Sequence, residues 1–293
     1  MQVAIHLGAH CTDNGRLLKT LLQNKGLLAR EGIAVPGPGR YRKTLLRAAQ
    51  KLRDKPACAD SREILIESIV DDDSARRMVL SFEDFICPLA RMFENGRLYA
   101  RAAHGPAWLA NVFAGCEVEF FLAIRNPATL VPAAFNHPDQ RQRDLAAFMD
   151  GADPAKILWS EVVEAIRSAT PQARLTIWCN EDTPLIWPDV IRAVSGHEAQ
   201  TRPTGGLDLL AEIMKEEGLR RARHYMDRNP PRSELHRRRI LAAFLDKYAI
   251  HEALEEELDA PGWCAETVER LSRIYEADLE RIAAMPGIDL VAV

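Results

Sequence analysis

Val3-Ala-Ile-His-Leu-Gly8-Ala-His-Cys-Thr-Asp-Asn-Gly15-Arg-Leu-Leu18 is the stretch whose reading decides the fold. A short apolar run stopped by Gly8 reads as a buried central strand. A small, polar segment, Gly8 to Gly15, follows it. Leu17, Leu18, Leu21, Leu22 and Leu28 then recur at helical spacing. A loop that joins a strand end to a helix start turns free backbone N–H groups outward and offers them to an anion. The Gly-x-x-x-x-Gly-Lys-Ser/Thr phosphate loop is not met, because no lysine stands where that signature needs one.

Working outward, strand-like runs recur at 78–82, 118–124 and 174–179, with a short one at Ile33-Ala-Val35. Helical patterns lie between them at about 15–30, 43–53, 60–74, 88–94, 104–113 and 155–168. Strands alternating with helices predict parallel pairing, that is, an α/β fold with a central parallel sheet flanked by helices. Pro36-Gly-Pro-Gly39 reads as a loop. From Leu207 to Tyr248, within a mainly helical subregion over about 201–293, the pattern is helical and heavily charged, interrupted by Arg228-Asn-Pro-Pro-Arg232. His251-Glu-Ala-Leu-Glu-Glu-Glu-Leu258 reads as a solvated helix or turn. With no repeat and no low-complexity linker, one domain over 1–293 is expected, with an α/β core to about 200 and a helical C-terminal subregion.

Nearly half of the 293 residues are apolar (47%), enough for a sizeable core. The net charge of −4, with both signs mixed, gives no global field towards nucleic acid or membrane, so an anionic ligand must be met by a local cluster. No apolar run approaches 18 residues, and Met1-Gln-Val-Ala-Ile enters a strand directly, so a cytoplasmic protein is expected. The six cysteines, Cys11, Cys58, Cys87, Cys116, Cys179 and Cys264, form no C-x-x-C pair, which points to reduced thiols rather than a zinc site or disulfides.

The opening stretch resembles the start of the bacterial sulfotransferase family, in which a strand is followed by Gly-Ala/Pro-His-Lys-Thr-Gly-Thr-Thr-Ser. Gly8, Ala9, His10 and Thr12 match in place; Cys11 stands for the lysine, Asp13 for a glycine, and Asn14, Gly15 and Arg16 for residues that are usually hydroxylic. Met78-Val-Leu-Ser-Phe-Glu-Asp-Phe85 resembles the family's second central strand. Val118-Glu-Phe-Phe-Leu-Ala-Ile-Arg-Asn-Pro127 resembles the strand that delivers an arginine to the donor's 3′-phosphate. Tyr275-Glu-Ala-Asp-Leu-Glu-Arg-Ile282 and Pro286-Gly-Ile-Asp-Leu290 resemble the closing helix and tail. The resemblance implies a P-loop-NTPase-like sulfotransferase architecture over nearly the whole chain. It also implies 3′-phosphoadenosine 5′-phosphosulfate as co-substrate, no metal, and a small-molecule or carbohydrate acceptor carrying a hydroxyl or amine.

On that pattern, Gly8, Ala9, His10, Cys11, Thr12, Asp13, Asn14, Gly15, Arg16 and Arg125 are the donor-binding candidates, with Glu83 and His10 the catalytic ones. A thiol at Cys11 donates weakly and does not replace a cation. Arg16, in the first helical turn, can fork onto a phosphate, while Lys19 points away. Asp13 repels a bound anion, or simply initiates the helix. Arg125 ends an all-apolar strand, where an unpaired charge is costly, and closes either on a phosphate or on a structural partner. The family's serine eight residues further on is Ala133 here. Glu83 follows a strand end, where open α/β sheets gather functional groups, or serves as a helix-start acid.

His6 and His10 straddle a strand end, so their spacing does not place them on one helix face for a metal. His6 is expected in the sheet and His104 in a loop near the acceptor. Arg220-Arg-Ala-Arg-His224 and Arg237-Arg-Arg239 lie on predicted helices, as solvated faces or as contacts for an anionic group. No aromatic interleaving supports nucleic-acid binding. The tryptophans at 159, 178, 187 and 263 read as core or half-buried. Two functions follow: a sulfotransferase, or a descendant of that fold that is catalytically inactive or repurposed for binding.

Overall fold

The computed structural model describes residues 1–53, 55–142, 144–254 and 258–292. Six parallel strands form the central sheet, in the order 33–34, 77–81, 2–6, 117–124, 174–179 and 288–291. They are β1 (Gln2–His6), β2 (Ile33–Ala34), β3 (Arg77–Ser81), β6 (Glu117–Ile124), β7 (Arg174–Cys179) and β8 (Ile288–Val291). A separate antiparallel hairpin joins β4 (Phe93–Glu94) to β5 (Arg97–Leu98).

Fourteen helices are described. The first seven are α1 (Arg16–Gln23), α2 (Lys25–Ala29), α3 (Pro38–Leu52), α4 (Ala59–Ile69), α5 (His104–Val112), α6 (Pro127–Phe135) and α7 (Leu145–Met149). The others are α8 (Trp159–Ala169), α9 (Thr183–Ser195), α10 (Asp208–Ile213), α11 (Glu216–Arg228), α12 (Glu234–Tyr248), α13 (His251–Leu254) and α14 (Ala265–Ala283).

β1 is central because both of its faces are apolar. Val3, Ile5 and Leu7 join one core with residues of α3, α5, α6 and α8, while Ala4 joins another with Leu17, Leu21, Ile186 and Trp187 from α1 and α9. Alternation along a strand between two buried faces accounts for the continuous apolar run. Burial of Leu17 and Leu21, both fully enclosed, fixes α1 against the sheet; each such side chain is worth about 1.5–3 kcal/mol. Pairing aligns His6 with Ser81 of β3 and Phe121 of β6, so three strands reach the site side by side. The ladder runs on beyond β1, with Leu7 N–H donating to Phe121 O and Ala123 N–H to Gly8 O. A third, small core of Leu210, Met214, Leu219, Ala222 and Leu241 holds α10–α12 together.

Several local expectations are corrected. The stretch 88–94 is not a helix: one short 3-10 turn gives way to the hairpin, whose Asn95-Gly96 turn sits at φ 54° and 73°. Asn-Gly is the residue pair such a turn favours. Pro36-Gly39 is not all loop, because Pro38 opens α3, where its fixed φ suits a first turn. α6 and α9, absent from the expected helices, carry internal prolines, Pro132 and Pro188, which obscure their pattern. His104 begins α5 rather than lying in a loop, and it is exposed. Pro286–Leu290 leads into a sixth strand. The break at Arg228–Arg232 falls between α11 and α12 as expected. In the acidic stretch, His251–Leu254 is helical, and residues 255–257 lie outside the described residues.

Candidate functional site

Loop 8–15 leaves the end of β1 through a series of left-handed residues: Gly8 at φ 89°, Cys11 at 60°, Asn14 at 49° and Gly15 at 74°. Gly8 has a second reason to be glycine, since a Cβ there would stand 2.7 Å from the Glu83 Cα. This close approach brings the ends of β1 and β3 together and sets Glu83 beside the loop.

Two amides where the loop enters the helix, those of Gly15 and Leu17, are already taken. Asp13 Oδ2 accepts Leu17 N–H at 2.8 Å and Oδ1 accepts Gly15 N–H at 3.4 Å, with Asp13 only 6% exposed. The carboxylate thus lies at the start of α1, the end of a helix that favours negative charge. Thr12 Oγ1 donates to Ala9 O at 2.7 Å, a bond inside the loop. Cys11 is buried, and burial pushes its thiol up to about 11, with Arg125 opposing the rise and Glu83 adding to it. At neutral pH it is a neutral thiol.

His10 is pinned at both ring nitrogens. Its backbone N–H donates to Tyr99 Oη at 2.9 Å, and Nδ1 hydrogen-bonds the same hydroxyl, also at 2.9 Å. Nε2 lies 3.1 Å from Asp84 Oδ1. His6 lies within the sheet, as expected, with Nδ1 2.9 Å from Ser81 Oγ and its ring stacked on Trp178. Burial lowers its pKa, which keeps the imidazole neutral, with Asp13 opposing.

Arg125 stands at the end of β6 and turns towards the same loop. Its Nη1 donates to Cys11 O and its Nε to Thr129 Oγ1 at 2.9 Å. Glu181, just past β7, is close enough to feel its charge. Burial raises the Glu181 carboxyl above its ordinary range, while Asn126 N–H, at 2.8 Å, and Tyr275 Oη, at 3.2 Å, donate to it and oppose the rise. Arg125 therefore has protein partners, and the position expected for a supporting serine is the half-buried Ala133. Arg16 does not turn into the loop: it forms an ion pair with Glu212 of α10.

Glu83 opens a short 3-10 turn beyond β3. Burial raises its carboxyl above the ordinary range; Asp13 adds to the rise, and His10 and His137 oppose it. A carboxyl so placed can act as a proton acceptor nearer neutral pH than a solvated one. The structure brings Glu83, His10, Asp13, Cys11 and Arg125 to one end of the sheet. It adds four groups that sequence spacing did not mark: Arg42, His137, Tyr99 and Glu181. The Arg42 guanidinium lies 4.1 Å from the Phe82 ring centroid and donates to Ser81 O at 3.3 Å. Glu181 had a readable signal, an acid directly after a parallel strand; Arg42 lies on a distant helix and had none.

No three acidic, histidine or cysteine side chains among the described residues are grouped to hold a metal ion. No helix among them is long and apolar enough to cross a membrane. Comparison with protein-family models, with curated proteins and with solved structures gives no match to this chain.

Proposed function

We propose that this chain is a descendant of the P-loop-like sulfotransferase architecture whose donor site is closed by its own Asp13, and that it works as a binding protein rather than as a transferase. The observation that carries the reading is the Asp13 carboxylate on the amides of Gly15 and Leu17. Two like charges about 4 Å apart repel by about 4 kcal/mol at an effective dielectric of 20. A phosphosulfate entering the loop would meet that repulsion and would have to displace two hydrogen bonds. Cys11 supplies no compensating cation, Arg16 is engaged by Glu212, and Arg125 is turned to a loop carbonyl. The order of the strands, with the loop leaving a central β1, supports the fold-level half of the proposal.

One observation favours a second reading, a transferase acting on a hydroxyl or amine of a small molecule or carbohydrate. Glu83 has a raised carboxyl at the strand ends, as a base for such an acceptor would need. This reading requires Asp13 to swing out when 3′-phosphoadenosine 5′-phosphosulfate binds.

Thermal unfolding with 3′-phosphoadenosine 5′-phosphate separates the two. A closed site predicts no stabilisation of the wild type and a clear shift in Cys11→Lys/Asp13→Gly; ligand at 100 times its Kd stabilises by about 2.7 kcal/mol. A shift in the wild type that Arg125→Ala abolishes would favour the transferase. Silence from a folded double variant would remove the sulfotransferase parentage.

A further inference from the structure

A second anion-seeking region lies away from the strand ends. The outer side of α9, the 197–207 segment and the α11–α12 pair enclose a cavity of about 540 Å³. Arg192, Arg202, Arg223, Arg232 and Arg237 line it, against three carboxylates, Asp189, Asp208 and Glu234. The chain as a whole is negative, so this local positive excess runs against its composition. Pro188, Pro203, Leu207 and Met226 supply apolar wall. A volume of several hundred Å³, partly apolar and with a few convergent charges, suits a small organic ligand.

Two of the lining cations, Arg192 and Arg237, are held in place by the fold. Asp189, 6% exposed, takes Arg237 at 2.9 Å, Arg238 at 3.1 Å and Arg192 at 3.6 Å. One buried carboxylate thus gathers three guanidiniums and leaves their charge in excess. Glu234 balances only Arg237, at 2.6 Å. Burial pushes Glu234 up, but Arg237, Arg192 and Arg202 outweigh it and hold the carboxyl below its ordinary range. Burial lowers His197; Glu31 opposes this, and Arg192 and Arg202 add to it. The same two arginines therefore act on opposite walls. Among the described residues, Arg223 and Arg232 form no ion pair, and Arg237 Nη1 is buried without a hydrogen-bond partner.

The wall opposite α11 is tied down as well. Thr204 N–H donates to Asn24 Oδ1 at 2.9 Å and Asn24 Nδ2 donates back to Thr204 O at 3.0 Å. Glu198 N–H donates to Glu31 Oε2 at 2.8 Å. A pre-formed wall lowers the ordering cost of binding.

We infer that this cavity binds a small molecule carrying a phosphate or sulfate ester on an apolar body, with Arg202, Arg223 and Arg232 closing on the oxyanion. Guanidinium forks match the oxygens of such groups, and the prolines and Met226 receive the body. The inference is independent of the proposed function, because it uses no residue of loop 8–15.

Calorimetric titration of the full chain with phenyl phosphate and with phenyl sulfate tests it. Saturable binding of at least one probe is expected, and the tighter probe identifies the ester. Arg223→Ala/Arg232→Ala should weaken that binding about tenfold or more. Both side chains are exposed, so the variant should unfold at the wild-type midpoint, which separates lost binding from lost folding. Absence of saturable heat with either probe would overturn the inference. So would equal affinity in the folded double variant.

Discussion

At the end of β1 the amides of Gly15 and Leu17 meet a carboxylate from their own turn, whereas beside α9 a cavity is lined by five guanidiniums and only three carboxylates. The difference is one of chain distance. Asp13 sits four residues before Leu17, so the helix start is satisfied locally, with almost no loop to close. In the cavity, Asp189 and Glu234 pair with Arg192 and Arg237 three residues on in their own helices, whereas among the described residues Arg223 and Arg232 form no ion pair. Local polar demands tend to be met by the chain itself. Unmet demand persists where distant elements converge, and there a ligand finds room.

Thiol chemistry gives the largest expected contrast. Cys11 is buried, with a thiol pushed up to about 11, whereas Cys58 and Cys264 are exposed and their hydrogen bonds to Ser61 and Thr267 lower them. At pH 8 about one Cys11 side chain in a thousand is thiolate. Iodoacetamide mapped by peptide mass spectrometry should mark Cys58 and Cys264 long before Cys11. Equal rates would mean the loop is open.

Gly8→Ala presses a Cβ into the Glu83 backbone at a φ of 89°. A loss of about 3 kcal/mol is expected by urea unfolding. A loss under about 1 kcal/mol would show that the two strand ends are not locked together.

Asp13→Ala removes the acceptor of two N–H groups and should cost about 1–2 kcal/mol. Arg223→Ala/Arg232→Ala, by contrast, should stay within about 0.5 kcal/mol of wild type, as exposed side chains without ion pairs do. Similar losses in both would erase the distinction between a closed region and an open one.

Glu83→Gln sharpens the picture through pH. A carboxyl whose folded pKa is raised keeps its proton longer in the folded protein. Its stabilising contribution is complete below the unfolded value, near 4.5, and is lost as pH rises through the folded one. The variant should therefore lose less stability than wild type between acid and neutral pH. A steeper loss would place Glu83 in a charge-stabilised, not a desolvated, setting.

Much of the scaffold was legible because its signals are short-range. β1, β3, β6 and β7 are apolar runs stopped by polar residues, α1 repeats leucines, and Arg228–Arg232 breaks a helix with two prolines. α9 was hidden by Pro188, and the hairpin by the hydrophobic residues around Asn95-Gly96. At the candidate site, Glu83 and Arg125 stood out as charges at strand ends. What spacing left open was which partner each would choose: Arg125 a carbonyl, Arg16 Glu212, and Asp13 its own helix. The cavity beside α9 had only a partial linear signature, the basic runs that hold Arg223 and Arg237, because its arginines become neighbours only when α11 and α12 fold back on α9.

The most direct test of the closed loop is a side-by-side calorimetric titration of the wild type and Asp13→Gly with 3′-phosphoadenosine 5′-phosphate. Self-occupation by Asp13 predicts no measurable binding to the wild type and saturable binding to the variant. Saturable binding to the wild type, with affinity unchanged in Asp13→Gly, would contradict it.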